Sequence, residues 1–317
     1  MKFDDQLIEE FQSFEHSRFT VSFLPPKIFL CGGPVDVNAV IPTSARQRLI
    51  AYFAAHDHDF HRACIQAESF NDYFKEGAYS DLLEFEADIA NIATLIIICL
   101  ESPGSLVELG LFCMDPNTVG KLLVLAPQEE LDKANSFIFL GPLQNIRRTN
   151  VDSVLAYPWP KSDVLDYEHI NIMAEDVKQK LEKMLKTQRF SLSNSAHVAL
   201  LIQDIIMLAH PITFTEIELA LVAFNVDIDS ASVSRLLYLL EKIELIDHTT
   251  YSNVKYYFDK LGGSRRIKFG IDLKGRTRDT PAIVMAFRKT FILNDDEQSK
   301  KRSLVLRQIN ELKRALK

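Results

Sequence analysis

One carboxylate interrupts an otherwise apolar stretch: Glu108 lies in Leu106-Val107-Glu108-Leu109-Gly110-Leu111-Phe112-Cys113-Met114, directly after the turn Glu101-Ser102-Pro103-Gly104-Ser105. A charge in such a segment is costly to bury unless something stabilises it. A carboxylate so placed can stabilise a developing cation or add to an electrophilic carbon. Ser105-x-x-Glu108 also fits a capping box, which would set Glu108 near the positive end of the helix dipole and keep it ionised. Capping explains a Glu here but not Gly110, which costs about 1 kcal/mol relative to Ala inside a helix and points to close approach of another backbone or a ligand.

Other residues extend the candidate site. Glu68, Asp72 and Glu86 follow a predicted strand or lie on the helix before the next one, and with Glu108 they make an acidic pocket of the kind that binds sugar hydroxyls or a developing cation. Cys31-Gly32-Gly33 ends another strand in a glycine turn able to offer bare amides to a ligand. Gly104 and Ser105, in the turn before Glu108, complete the candidate substrate contacts. The G-x-G-x-x-G and G-x-x-x-x-G-K-S/T spacings are absent, which removes the usual support for dinucleotide-fingerprint and P-loop chemistry. His56-x-His58-x-x-His61 has no second ligand set, so a solvated helix end is expected, with no metal and no cofactor. Cys31, Cys64, Cys99 and Cys113 form no C-x-x-C pair and read as buried reduced thiols.

The elements around these residues alternate. Lys27–Cys31, Ala63–Ala67, Ala93–Leu100 and Lys121–Ala126 read as strands, separated by helices over Ser44–Ala55, Asp81–Ile92 and the Glu108 segment. Alternation of this kind predicts an α/β fold with a doubly wound parallel sheet. In such a sheet ligands bind at the carboxyl ends of the strands, where the Gly32-Gly33 and Pro103-Gly104 turns fall. The expected organisation is an N-terminal helical arm over 1–24, the α/β domain over 25–160, a polar helical linker over 161–195 and a second domain over 196–317. In that last part, helices over His197–Ala209, from Thr213-x-x-Glu216 and from Asp229-Ser230 precede Leu245-Ile246 and Val254–Phe258, the order of a winged helix-turn-helix.

The formal net charge of −7 hides an asymmetry: residues 251–317 carry net +10 and the rest −17. A basic end on an acidic body implies a polyanionic partner for that end. The third helix is expected to present Ser230, Ser232, Ser234, Arg235 and Tyr238 to a groove or to phosphates. Arg265, Arg266, Lys268, Lys274, Arg276 and Arg278 are expected to contact phosphates from a hairpin. No secretory leader is evident and the apolar run Ile92–Leu100 is too short to cross a bilayer, so no membrane association and a cytoplasmic location are expected.

Three stretches carry a resemblance: Phe29-Leu30-Cys31-Gly32-Gly33, then Glu101 through Gly110, then Ser136-Phe137-Ile138-x-x-Gly141-Pro142. They resemble the effector proteins of type II retrons, in which a nucleoside deoxyribosyltransferase-like domain precedes a winged-helix DNA-binding domain. The resemblance implies that Glu108 is a nucleophile, that the substrate is NAD or a nucleotide cleaved at its N-glycosidic bond, and that the role is antiphage defence. It further implies control by a retron reverse transcriptase and its multicopy single-stranded DNA, with assembly into a homo-oligomer or filament. Cys31-Gly32-Gly33 and Glu68-Ser69 depart from true deoxyribosyltransferases and favour hydrolysis over base exchange. Two alternatives remain at this point: a nucleotide-sensing DNA-binding regulator, and a scaffold of the ribonucleoprotein without chemistry.

Overall fold

The computed structural model describes residues 2–36, 38–65, 79–133, 135–161, 163–260 and 263–315. They form an α/β unit, within 23–65 and 83–186, and a helical unit, within 2–22, 79–82 and 187–315. The chain opens in the helical unit with α1 (Phe3–Phe11) and β1 (Thr20–Ser22).

The α/β unit follows with β2 (Ile28–Cys31), α2 (Ala45–His56), α3 (His58–Ala63), β3 (Cys64–Ile65), α4 (Leu82–Ile92), β4 (Leu95–Cys99), α5 (Pro103–Met114), β5 (Leu122–Pro127), α6 (Gln128–Asp132), α7 (Gln144–Thr149), β6 (Val154–Tyr157) and α8 (Ile170–Lys183). Its five strands are parallel in the order β3-β2-β4-β5-β6. The expected parallel sheet is therefore present, with β6 as a further edge strand. Strands such as Leu95-Ile96-Ile97-Ile98-Cys99 are buried at every position, as expected when helices cover both faces. Ile28, Leu30, Leu95, Ile97, Leu123 and Leu125 meet Leu49, Phe53, Met173 and Val177 of α2 and α8 on one face. Phe29 meets Phe112 of α5 on the other, with ring centroids 6.0 Å apart.

The segment expected as a linker contains α8, which packs into the sheet's core. Its apolar positions are paired with sheet residues, so it closes the domain rather than leaving it. The N-terminal arm is likewise integrated into the helical unit. Phe11 stacks on Phe224 at 4.6 Å and lies 5.4 Å from Phe287, and Phe19 contacts Phe190, Phe224 and Phe269. This aromatic core joins residues far apart in sequence.

The helical unit continues with β7 (Thr187–Arg189), α9 (Ser195–Ala209), α10 (Phe214–Ala223), α11 (Ser230–Lys242), β8 (Ile246–Tyr251), β9 (Val254–Asp259), β10 (Ile267–Lys268), α12 (Thr280–Ile292) and α13 (Glu297–Ala315). Asn194, Thr213 and Asp229 cap the three successive helices, Thr213 through a capping box with Glu216. β8 and β9 form an antiparallel hairpin closed by Ser252 and Asn253, both at positive φ, the conformation that matches the twist of paired strands. Ile212 bridges to Tyr257 on the outer edge of β9. β1 pairs antiparallel with both β7 and β10. Among the described residues, no helix is long and apolar enough to cross a membrane.

Candidate active site

The strand order makes β2 and β4 neighbours while the chain leaves them in opposite directions along the sheet, to β3 and to β5. That is the topological switch point at which open α/β sheets take ligands. Both glycines after β2 are required by close packing. A Cβ on Gly32 would stand 2.9 Å from the Cβ atoms of Arg46 and Cys99, and one on Gly33 would stand 2.8 Å from Ser44 Cβ. The turn is therefore pressed against the start of α2 and the end of β4.

A residue that sequence reasoning passed over holds this junction. Glu101 Oε1 accepts from the amides of Gly33 and Arg46, each at 3.0 Å, and Oε2 accepts from the amide of Ala45 at 2.8 Å. The Gly33 amide, expected to be bare, is thus taken by the protein's own carboxylate, together with the first amides of α2. The available signal was an acid directly after a buried strand and opposite a glycine turn. Ser44 completes the junction, accepting from Gln47 N–H at 3.0 Å and donating to Pro34 O at 2.8 Å.

α5 begins one turn earlier than the capping reading anticipated. Ser102 is the N-cap: its Oγ accepts from Ser105 N–H at 3.1 Å, and Ser105 Oγ accepts from Ser102 N–H at 3.0 Å. Pro103 occupies the first helical position, where its fixed φ suits the helix and its missing N–H costs nothing. Ser105 is fully buried and committed to this cap, also accepting from Glu101 N–H at 3.2 Å. Ser102 Oγ donates to Gly32 O at 3.1 Å, tying the cap to the glycine turn. Glu108 is consequently the sixth residue of α5, too far in for the dipole argument to apply at full strength.

Freed from capping, Glu108 turns to the end of β2. The Cys31 thiol is buried and hydrogen-bonded to Glu108, and burial pushes its pKa well up, with the Glu108 and Glu86 carboxylates adding to the rise and Arg46 opposing it. Glu108, Glu86 and Arg46 therefore converge on Cys31, at the end of β2, from three separate elements: α5, α4 and α2. Cys99 is also raised, first by burial and then by Glu101. Neither thiol is ionised near neutrality, which leaves the carboxylates as the groups able to do nucleophilic or electrostatic work.

Two expectations about α5 are corrected. It is not buried on every side: Leu106, Val107 and Met114 are exposed while Leu109, Phe112 and Cys113 are buried, because an outer-layer helix meets the sheet on one face only. Among the described residues nothing lies within 4 Å of a Cβ placed on Gly110, so none of them explains that glycine. Gly104 is exposed in the first turn of α5. Glu68 and Asp72 lie outside the described residues. His56 Nδ1 is 2.9 Å from Tyr52 O, and its ring stacks on Tyr52 at 4.3 Å.

In the helical unit, Val233, Leu236, Leu237 and Leu240 turn α11 onto the core. Ser232 Oγ donates to Asp229 at the cap, 2.8 Å away. Tyr238, expected to be exposed, is 5% exposed, with the Tyr79 ring centroid 6.1 Å away; the Arg235 guanidinium lies 5.8 Å from the Tyr79 ring. The tip of α11 at Ser234 stays open while its middle is covered.

The six cations expected on one hairpin divide into two groups. Arg265 Nε donates to the fully buried Asp204 at 2.9 Å, and Arg266 and Ile267 donate their amides to the same carboxylate at 2.7 and 3.0 Å. Burial lowers Arg266 to about 10 against the pull of Asp204. Arg276 pairs with buried Asp272 at 3.1 Å, and Arg278 pairs with Glu10. Lys268 and Lys274 are exposed. The stretch is not one continuous hairpin: Ile267–Lys268 pairs with β1, and farther on Ile271 and Thr277 are joined by an isolated antiparallel bridge around Lys274 and Arg276.

The family model described as "STM3845 retron effector protein" matches residues 42–248. Over 129 residues the chain is 34% identical to the Escherichia coli protein "Retron Ec86 putative ribosyltransferase/DNA-binding protein" and 31% identical to its namesake from retron Ec73. Each alignment covers 40% of this chain and 39% of the relative.

Proposed function

The chain belongs to the STM3845 retron effector family, and we propose that its α/β unit is an N-glycosidase that hydrolyses the glycosidic bond of NAD or a nucleotide through Glu108. The observation that carries this reading is the convergence of Glu108, Glu86 and Arg46 on Cys31 beside the switch point. The α/β unit is read as nucleoside deoxyribosyltransferase-like, and the printed names of the relatives, ribosyltransferase/DNA-binding protein, agree with chemistry at a ribosyl carbon.

The residues support a two-step displacement. The Glu108 carboxylate adds to C1′ as the C1′–N bond breaks and its electron pair leaves with the base. A water then adds to C1′ as the ester bond to Glu108 breaks; one proton of that water passes to solvent, and the carboxylate and the free sugar are restored. Nicotinamide leaves a cationic linkage as a neutral molecule, so a strong general acid is dispensable, which suits a site built of carboxylates and raised thiols. In this reading Glu86, which also acts on Cys31, binds a sugar hydroxyl or shares in stabilising the oxocarbenium-like transition state.

The helical unit is read as a winged helix, supported by its helix–helix–helix–hairpin order and by the Ile212–Tyr257 bridge. Its nucleic-acid contacts would come from the open end of α11 and from exposed cations such as Lys268 and Lys274. The full reading is an antiphage effector held by a retron reverse transcriptase and its multicopy single-stranded DNA, in an oligomer or filament. Incubation of purified protein with NAD and with nucleotides, followed by chromatography for free base, tests the enzymatic part. Absence of base release from every substrate would return the α/β unit to a nucleotide sensor or scaffold.

A further inference from the structure

A cavity in the α/β unit takes no wall from Glu108 or Cys31. It has a volume of about 680 Å³ and is bounded by Ala51 and Tyr52 of α2, by Pro158-Trp159-Pro160-Lys161 after β6, and by Tyr167 to Ile170 at the start of α8. β6 ends at Tyr157, so this cavity also opens at the carboxyl edge of the sheet. Glu108 faces the end of β2, which is three strand positions from β6, or roughly 14 Å.

The walls are fixed by the chain itself. Arg48, 5% exposed, donates to the carbonyls of Leu165 at 2.6 Å, Lys161 at 3.1 Å and Val164. Tyr167 donates its hydroxyl to Pro158 O at 2.8 Å. Pro158 and Pro160 hold the backbone on either side of Trp159, the only tryptophan in the chain. Such pinning gives a preformed site, which removes the ordering cost of binding. Its composition is an aromatic floor from Trp159, Tyr52 and Tyr167 with a charged rim from Lys161, Asp166 and Glu168.

We propose that this Trp159 cleft binds a ribonucleotide moiety. The base stacks on the aromatic floor, the ribose hydroxyls donate to Asp166 and Glu168, and Lys161 meets the phosphate. Size and lining match a small-molecule site, largely apolar with a few polar groups at the edge. The proposal rests on the nucleotide-directed reading of the α/β unit. The same chemistry has two sources, the far half of a dinucleotide substrate and a free nucleotide.

Trp159 is its own reporter. In full-length Glu108→Gln protein, where turnover is not required, AMP and NAD are expected to change tryptophan fluorescence saturably, and ribose 5-phosphate, which lacks a base, to leave it unchanged. Replacing Asp166 and Glu168 together by Ala is expected to weaken the AMP response roughly tenfold or more, with unaltered thermal unfolding showing that these surface changes leave the fold intact. In active protein, competitive inhibition by AMP of base release from NAD identifies the far half of the substrate, and AMP binding without competition identifies a free nucleotide. No saturable response to AMP or NAD, or a response equal in the double variant, overturns the proposal. Saturable binding without base release from any substrate would keep the cleft and remove the glycosidase.

Discussion

Gly33 donates its amide to Glu101 Oε1 at 3.0 Å, and this contact joins the turn that ends β2 to the turn that opens α5. Because the same carboxylate accepts from Ala45 and Arg46, it also fixes the start of α2. The three segments around the switch point are therefore held by one side chain.

Glu101→Gln is expected to destabilise the protein by about 1–3 kcal/mol, since the amide offers one acceptor oxygen where two were used and turns an N–H₂ toward a backbone donor. Urea unfolding measures this directly. A midpoint equal to that of the unaltered protein would show that the clamp contributes nothing.

Gly110→Ala is expected to stabilise α5 by about 0.5–1 kcal/mol, because the helix gains propensity and the new methyl meets none of the described residues. Thermal unfolding of the isolated protein decides it. A lowered melting temperature would mean that something approaches Gly110 closely in solution.

These two residues also show what the sequence made legible. The parallel sheet followed from buried runs such as Ile96-Ile97-Ile98 and from the alternation of helix between them, and Ser44, Thr213 and Asp229 each capped the helix expected of it. Ser105-x-x-Glu108 was misread because Ser102 and Ser105 offered two overlapping starts, and only the tertiary bond from Ser102 to Gly32 distinguishes them. Glu101 was invisible for a related reason: its three donors are 55 to 68 residues away. The charge run over 265–278 looked free because Asp204 and Glu10, which neutralise parts of it, are more than 60 residues distant in sequence. Local pattern gave the elements, and long-range polar pairing was beyond its reach.

Lys121 gives a pH dependence. Burial lowers its ammonium to about 8, while it donates to Asn91 O at 2.6 Å and lies 4.9 Å from the Phe23 ring. The folded protein sheds this proton near pH 8 and the unfolded chain holds it to its ordinary value of 10.5. Between those limits the unfolded state binds more protons, so this group's contribution makes stability rise with pH, by up to about 3 kcal/mol. Urea midpoints of the unaltered protein and of Lys121→Met, measured from pH 7.5 to 10, should diverge in slope. Parallel curves would contradict the assignment.

Among the basic residues, function and structure separate. Asp204→Ala is expected to cost about 3–5 kcal/mol by leaving Arg265 and Arg266 unmatched in a buried setting. Lys268→Ala with Lys274→Ala should leave unfolding unchanged and reduce the slope of log affinity for DNA against log salt by roughly 1.5 to 2. Fluorescence anisotropy with labelled DNA at several salt concentrations reads this. An unchanged slope would show that the phosphates are met elsewhere.

The central claim is that Glu108 attacks a glycosidic carbon. Purified unaltered protein and Glu108→Gln, matched by circular dichroism and thermal unfolding, should be incubated with NAD and nucleotides and the released base quantified by chromatography. The unaltered protein is expected to release base and the folded Gln variant to release none, because an amide keeps the size of the side chain but not its nucleophilic oxygen. Base release by folded Glu108→Gln at the rate of the unaltered protein would contradict the account.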